Sequence, residues 1–170
     1  YDDPRYVVPE YIVLWGKDPL FSNPDGFFGH ALIDLMKRGS KFITVDPIYT
    51  ASAQILDAYW IPVRTGTDTA FMLGVASEML RLDKEEGNVV DWDFLDKCTV
   101  GFDADHKPAD LKEDVNFLDY LNGVYDGEPK TAEWASKICG VPVEKITYFA
   151  REIGKEHDVW MLHNFAAARC

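Results

Sequence analysis

Three short turns carry the residues whose types and spacing could do chemistry. A glycine in such a turn lets the backbone approach a ligand closely. A carboxylate that ends a strand can accept hydrogen bonds from ribose hydroxyls, and one that begins a helix can accept two parallel N–H bonds from a base edge such as guanine N1 and N2. Together the turns predict a nucleotide site made of Gly16, Lys17, Asp18, Pro19, Asp46, Pro47, Gly66, Thr67 and Asp68.

Taken singly, each of these residues also has a purely structural explanation. Asp46 before Pro47 is a common way to end a strand in a turn. Asp68 in the first turn of a helix interacts favourably with the helix dipole, and Gly16 can serve a turn alone. The functional prediction therefore depends on whether the three turns meet.

The elements around the first two turns predict that they do. A continuously apolar run suits a strand buried on both faces of a parallel sheet. Apolar pairs repeated every four residues predict a helix with one buried face, and these pairs are Phe27/Phe28, Ala31/Leu32 and Leu35/Met36. A strand, helix and strand in succession form a right-handed βαβ unit, which brings both strand ends to the carboxyl edge where open sheets bind ligands. The predicted unit comprises a strand at 11–15, a helix from Asn23 and Pro24 to Lys37, and a strand at 41–46.

The rest of the chain reads as more helical. Pro62 favours an edge position for a short strand, and the last apolar run predicts one more buried parallel strand. We expect an α/β fold: a Rossmann-like open sheet, mainly parallel, with helices on both faces, forming a single domain over residues 1–170. The further elements are a strand at 60–63, helices at 50–57, 67–82, 91–98, 115–121, 132–139 and 142–153, a loop at 83–91, and a strand at 159–163.

Composition and missing motifs exclude several classes. The 17 Lys and Arg against 29 Asp and Glu give a net charge of −12, which argues against nucleic-acid binding. No apolar run approaches the ~18 residues that a membrane span needs. There is no GxGxxG or GxxxxGK, and Cys98, Cys139 and Cys170 lack metal-ligand spacing. We assign no catalytic residue and no metal ligand. Because the chain does not begin with Met, we expect an interior segment of a longer protein.

The ordered motifs carry a resemblance to a known family. They read VLWGKDP at 13–19, KRG at 37–39, FITVDP at 42–47, Thr50 with Ala53, DAYWIPVR at 57–64, GTDTA at 66–70 and, more loosely, GVP at 140–142 with residues 146–151. In order and spacing they resemble the molybdopterin oxidoreductases of the dimethyl sulfoxide reductase family. The resemblance covers nearly the whole chain.

The resemblance implies a segment of the molybdenum-binding catalytic subunit, the α/β domain that holds one of two molybdopterin guanine dinucleotides. The turns at residues 16–19, 46–47 and 66–68 would then surround the guanosine and pyrophosphate. Two-electron redox chemistry with oxygen-atom or hydroxyl transfer, at molybdenum or tungsten, would belong to the full subunit. We expect the isolated chain to be inactive, and to position the cofactor rather than transform substrate.

The resemblance also implies partners. These are other domains of the same subunit, with an iron–sulfur electron-transfer subunit as a further option. The family carries its metal ligand and any iron–sulfur cysteines upstream, outside this chain. The compartment, the substrate and the choice of metal stay open. Three departures concern the turns: Asp18 stands where the family often has Asn, Ile48 where it often has Arg, and Thr65 where it usually has Pro.

Two alternatives stay open from the residues. The chain could be a degenerate α/β interaction module that has kept the fold and lost the cofactor. A dinucleotide-binding dehydrogenase domain is disfavoured by the missing glycine fingerprint.

Overall fold

The computed structural model describes residues 7–22, 26–108, 110 and 115–163. The chain divides into two compact units. The first consists of Tyr1–Thr69, Cys139–Val141 and His157–Cys170, and the second of Ala70–Ile138 and Pro142–Glu156. Each is described by itself, and the single-domain organisation expected from the sequence stays a prediction.

A four-stranded parallel sheet organises the first unit. Its strands are β1 (Tyr11–Trp15), β2 (Lys41–Val45), β3 (Tyr59–Ile61) and β4 (Val159–His163), in the order β3-β2-β1-β4. All five residues of β1 are buried, as expected of a continuously apolar central strand. From β1 the chain continues to β2 and then β3 on one side of the sheet, and it later returns to place β4 on the other side of β1. The direction in which strands are added therefore reverses beside β1. In open parallel sheets, ligands bind outside the carboxyl ends at such a reversal.

In the described part of this unit the sheet is accompanied by the helices α1 (Gly26–Lys37) and α2 (Ala51–Ile55). Leu32 and Leu35 of α1 join a core cluster with Leu14 and Phe42 of the sheet. This packing confirms the predicted βαβ unit. The sequence places Phe27 on the buried face of α1, but its side chain is 69% exposed, so that prediction is wrong. The predicted helix start at residues 23–25 lies outside the described residues.

The two outer strands show which sheet predictions hold. The edge position expected beside Pro62 is confirmed, because β3 ends at Ile61 and lies at one edge. The last strand is parallel to β1 as predicted, but it is not buried: three of its five residues are exposed and two are half-buried. The reason is its place at the other edge of the sheet, which apolar composition alone does not reveal.

The second unit is built mainly from helices. They are α3 (Asp68–Glu86), whose first two residues belong to the first unit, α4 (Trp92–Cys98), α5 (Phe117–Leu121), α6 (Ala132–Cys139), whose last residue belongs to the first unit, and α7 (Val143–Glu152). In its core, the rings of Phe71 and Phe149 lie 5.6 Å apart. Gly74 lets α3 approach α6 so closely that an added Cβ would lie 2.3 Å from the Ala135 Cβ. Helix α3 continues to Glu86, so the loop predicted to start at residue 83 starts later than expected.

The parallel sheet and its helices confirm the predicted α/β fold class. Among the described residues, none of the helices has the length and apolar character needed to cross a bilayer.

Candidate functional site

The first two turns leave neighbouring strands at the same edge of the sheet. Trp15 lies beside Val45 in the parallel register, so β1 and β2 end together. The backbone N–H of Gly16 donates to the Val45 carbonyl at 2.9 Å, and the N–H of Asp46 donates to the Ile61 carbonyl at 3.2 Å. Backbone hydrogen bonds thus continue past the ends of the strands. They hold the first two turns side by side on the carboxyl edge.

The third turn joins them through a side chain. The indole Nε1 of Trp15 donates to Asp68 Oδ1 at 2.7 Å. Asp68 is the first residue of α3, where a helix terminus favours a negative charge. In the preceding turn Gly66 has a φ of +80°, and the Thr67 hydroxyl donates to the Arg64 carbonyl at 2.7 Å. The three predicted turns therefore meet on one rim.

In the first turn, Asp18 is fixed by a residue outside the predicted site. Its Oδ1 accepts hydrogen bonds from both the backbone N–H of Ser52, at 3.1 Å, and the Ser52 hydroxyl. Lys17 places its ammonium 5.5 Å from the ring centroid of Phe28, and Pro19 is buried. Contacts from the Asp18 and Lys17 side chains to Ser52 and Phe28 therefore hold the first turn, in addition to its backbone hydrogen bonds.

Asp46 is a buried carboxyl group of the rim. It is only 8% exposed, and its Oδ1 accepts one hydrogen bond, from the Ile48 N–H at 3.0 Å. Burial raises the pKa of its carboxyl group, and the negative charges of Asp18 and Asp68 raise it further, while the Ile48 N–H opposes the shift. That the two other carboxylates act on Asp46 is a second sign that the turns converge. Pro47 beside it is exposed.

The rim is therefore an acceptor surface. Three carboxylates accept hydrogen bonds and repel anions, so the surface suits the N–H and O–H groups of a nucleoside better than a phosphate. Lys17 adds a positive charge on the first turn. No cluster of three or more His, Cys, Asp or Glu side chains able to hold a metal ion occurs in the described ranges.

Three residues of the site escaped the sequence reasoning: Trp15, Ser52 and Trp60. Trp60 donates from its indole Nε1 to the Asp46 carbonyl at 2.8 Å. A tryptophan that is buried, as Trp15 is, or half-buried, as Trp60 is, usually finds a partner for its N–H, so the two indoles could have been noticed. Nothing in the sequence indicates Ser52, because its partner Asp18 lies 34 positions earlier.

Comparison with known proteins places the chain in a family. No protein-family model matches it. The trimethylamine-N-oxide reductase of Haemophilus influenzae is 36% identical over 89% of this chain and 17% of its own length. The dimethyl sulfoxide reductase DmsA of Escherichia coli K12 is 38% identical over 93% of the chain and 19% of its own. The biotin sulfoxide reductase of Cereibacter sphaeroides is 38% identical over 70% of the chain and 14% of its own length.

A solved structure supports the same fold. Acetylene hydratase from Pelobacter acetylenicus matches with a TM-score of 0.64 and 21% identity, over 93% of this chain and 18% of that one. The chain spans less than a fifth of the length of each of these proteins. The order and spacing of its motifs, its fold and these relatives agree. The chain belongs to the dimethyl sulfoxide reductase family of molybdopterin oxidoreductases, and this membership implies a molybdenum–pterin cofactor.

Proposed function

We propose that this chain binds the guanosine end of a molybdopterin guanine dinucleotide within a longer molybdenum or tungsten oxidoreductase. The observation that carries the proposal is the convergence of Asp18, Asp46 and Asp68 on one rim of the sheet. Trp15 connects the first and third turns through Asp68, and the electrostatic effect on Asp46 connects all three.

The chemistry of these residues fits a guanosine. Guanine presents N1–H and N2–H₂ donors on one edge, and a ribose presents hydroxyl donors. Asp46 offers Oδ2, which accepts no hydrogen bond from the described residues, while Oδ1 is occupied by Ile48. A Cβ at Gly66 would meet no atom of the described part of the chain within 4 Å, so the third turn presents open backbone there. Acceptors and space are both available on the rim.

Each turn takes a different part of the nucleotide in this proposal. Asp68 accepts the guanine N1–H and N2–H donors, and Asp46 accepts a ribose hydroxyl. In the first turn, Gly16 and the cationic Lys17 face the pyrophosphate, whereas Asp18 accepts an N–H or O–H donor of the nucleoside. The bound cofactor supplies two-electron redox chemistry at the metal. The residues of this chain bind and orient its nucleotide end.

The activity of the whole protein is part of the same proposal. The reductases named above suggest oxygen-atom transfer coupled to two-electron transfer. Other domains of the same subunit would complete the cofactor site, and an iron–sulfur cluster or an iron–sulfur subunit would supply electrons. The chain itself would then contribute binding energy and orientation, without a catalytic residue.

The test uses the full-length protein carrying Asp46→Asn and Asp68→Asn together. Both changes keep the side-chain shape and remove the charged acceptors. We expect guanine nucleotide and molybdenum or tungsten per polypeptide to fall, together with reductase activity. Asp34→Asn on the exposed face of α1 is the matched control and should retain both. Unchanged nucleotide and metal content in the double variant would favour the interaction-module alternative.

A further inference from the structure

We propose that Ser52 is a positioning residue that orients the Asp18 carboxylate toward the bound nucleotide. The proposal rests on the nucleotide-binding function above. Ser52 lies in the first turn of α2, in none of the three turns predicted from the sequence. Its side chain is fully buried, so it acts on a ligand only through another residue.

The hydrogen bonds of Ser52 fix the orientation of its hydroxyl group. The hydroxyl donates its proton to Asp18 Oδ1, and the Ser52 backbone N–H donates to the same oxygen at 3.1 Å. The hydroxyl oxygen in turn accepts the backbone N–H of Leu20 at 2.9 Å. One serine therefore holds both the carboxylate and the loop two residues later. Because two donors converge on a single oxygen, the plane of the carboxylate is fixed.

The second oxygen of Asp18 is left for a ligand. Within the part of the chain that the structure describes, Oδ2 accepts no hydrogen bond, whereas Oδ1 is occupied by Ser52. Asp46 shows the same division, with Oδ1 bonded to the Ile48 N–H. A side chain with a fixed orientation loses less conformational entropy when it binds. Ser52 thus prepares Asp18 to accept a donor from the nucleotide.

Ser52 also offsets the repulsion within the rim. The charge of Asp18 acts on the carboxyl group of Asp46, so the two like charges disfavour each other. The two donors of Ser52 hold Asp18 Oδ1 in one position against this repulsion. Ser52 is itself held in place because the Thr50 hydroxyl caps the same helical turn by accepting the Ala53 N–H at 3.1 Å.

The test is a double-mutant cycle in the full-length protein with Ser52→Ala, Asp18→Ala and the combination. The readout is guanine per polypeptide after purification, and its rate of release, beside the thermal midpoint. A hydrogen bond to a charged group contributes about 1.5–3 kcal/mol, or roughly 10- to 100-fold in affinity. We expect Ser52→Ala to release guanine nucleotide at least about 10-fold faster. In the Asp18→Ala background it should add nothing, because Ser52 acts through Asp18.

Ser40→Ala is the matched control. Ser40 is also buried, and its hydroxyl donates to the Pro9 carbonyl at 2.7 Å, just before β2 begins. It should change the thermal midpoint without changing nucleotide release, which separates a positioning effect from a general loss of stability. Ser52→Thr keeps the hydroxyl donor and should retain more nucleotide than Ser52→Ala, and this comparison decides the matter if the alanine variant is poorly folded.

Three results would distinguish failure of this inference from failure of the proposed function. Loss of nucleotide in Asp18→Ala but not in Ser52→Ala would overturn the positioning role. Additive losses in the two variants would also overturn it, because Ser52 would then act independently. Full retention of nucleotide in Asp18→Ala, Asp46→Asn and Asp68→Asn would instead remove the proposed function on which the inference rests.

Discussion

The indole of Trp15 and the carboxylate of Asp68, 53 positions apart in the chain, form a hydrogen bond of 2.7 Å at the carboxyl edge of the sheet. Both residues are buried, at 3% and 6% exposure. The bond connects the end of the central strand β1 to the start of α3. It therefore fixes the third turn relative to the first, which a nucleotide site across both turns requires.

Replacing Trp15 with Phe should destabilise the chain, because Asp68 is buried and loses this donor. We expect the free energy of unfolding in urea to fall by about 1–3 kcal/mol. Trp92→Phe is the matched control: Trp92 also donates to a carboxylate, Asp83, at 2.7 Å, but it is 47% exposed. Its loss should cost less than about 1 kcal/mol, because water replaces an exposed bond. Equal losses would contradict the role of burial.

Asp46→Asn should weaken nucleotide binding and make the stability of the chain less dependent on pH. Burial raises the pKa of Asp46 in the folded state, so the folded chain holds its proton more tightly than the unfolded chain. The stability that this provides is present below the unfolded pKa of about 3.9 and is lost as pH rises through the folded value. The variant should therefore lose less stability than the wild type between pH 4 and 7 in urea titrations. A steeper loss in the variant would contradict this prediction.

Gly74→Ala should destabilise the chain although alanine usually favours a helix over glycine. The new Cβ would lie 2.3 Å from the Ala135 Cβ, so α3 and α6 must move apart. We expect a cost of about 1–3 kcal/mol in urea unfolding, as for other overpacked cores. Gly26→Ala is the control, since a Cβ there meets no atom of the described residues within 4 Å, and it should be neutral or stabilising. Gly74→Ala with wild-type stability would rule out the close approach of the helices.

The buried carboxylate of Glu78 should make the second unit sensitive to acid. Its pKa is lowered chiefly by hydrogen bonds from Arg81, with a further one from the Thr147 hydroxyl at 2.7 Å. The resulting stability is present above the unfolded Glu pKa of about 4.3 and is lost as pH falls through the folded value. Thr147→Val should cost about 1–3 kcal/mol at pH 7, because the buried Glu78 carboxylate loses a donor from the half-buried Thr147.

The matched control for Thr147→Val is Glu85→Gln, which removes an exposed partner of Arg81. Exposed ion pairs contribute less than about 1 kcal/mol, so this change should be small. Circular dichroism in urea at pH 7 measures both variants. A larger effect from Glu85→Gln than from Thr147→Val would contradict the role of the buried Glu78 carboxylate.

Raising the pH should loosen the loop at residues 99–108 through His106. Both ring nitrogens lie 2.7 Å from carboxylate oxygens, Nδ1 from Asp103 and Nε2 from Asp96 of α4. These hydrogen bonds raise the pKa of His106, with Asp103 the larger contributor. The stability they provide is complete below about pH 6.5 and is lost as pH rises through the folded value.

Hydrogen exchange of the Gly101 N–H, which donates to the His106 carbonyl at 2.7 Å, reports on this loop. We expect its protection to fall above pH 6.5 after correction for intrinsic exchange. His106→Gln should lack the pH dependence. A protection factor that stays constant with pH in the wild-type chain would contradict the prediction.

Much of the fold could be predicted because its signals are local. A continuously apolar β1, the glycine after α1 and the proline after β3 are read from a few neighbouring residues. The handedness of βαβ connections then places β1 and β2 parallel without further information. The exposure of β4 and of Phe27 could not be predicted, because burial depends on which residues pack from elsewhere in the chain.

The sequence by itself determined the secondary structure near the site and the three turns at the strand ends, because periodicity, turn residues and connection handedness act over short distances. Only the tertiary structure decided that Asp68 faces Trp15 and that Asp18 is held by Ser52. It also decided that Asp46 is buried beside two like charges. These relationships join residues from different elements, and close packing, not local conformation, selects such pairs.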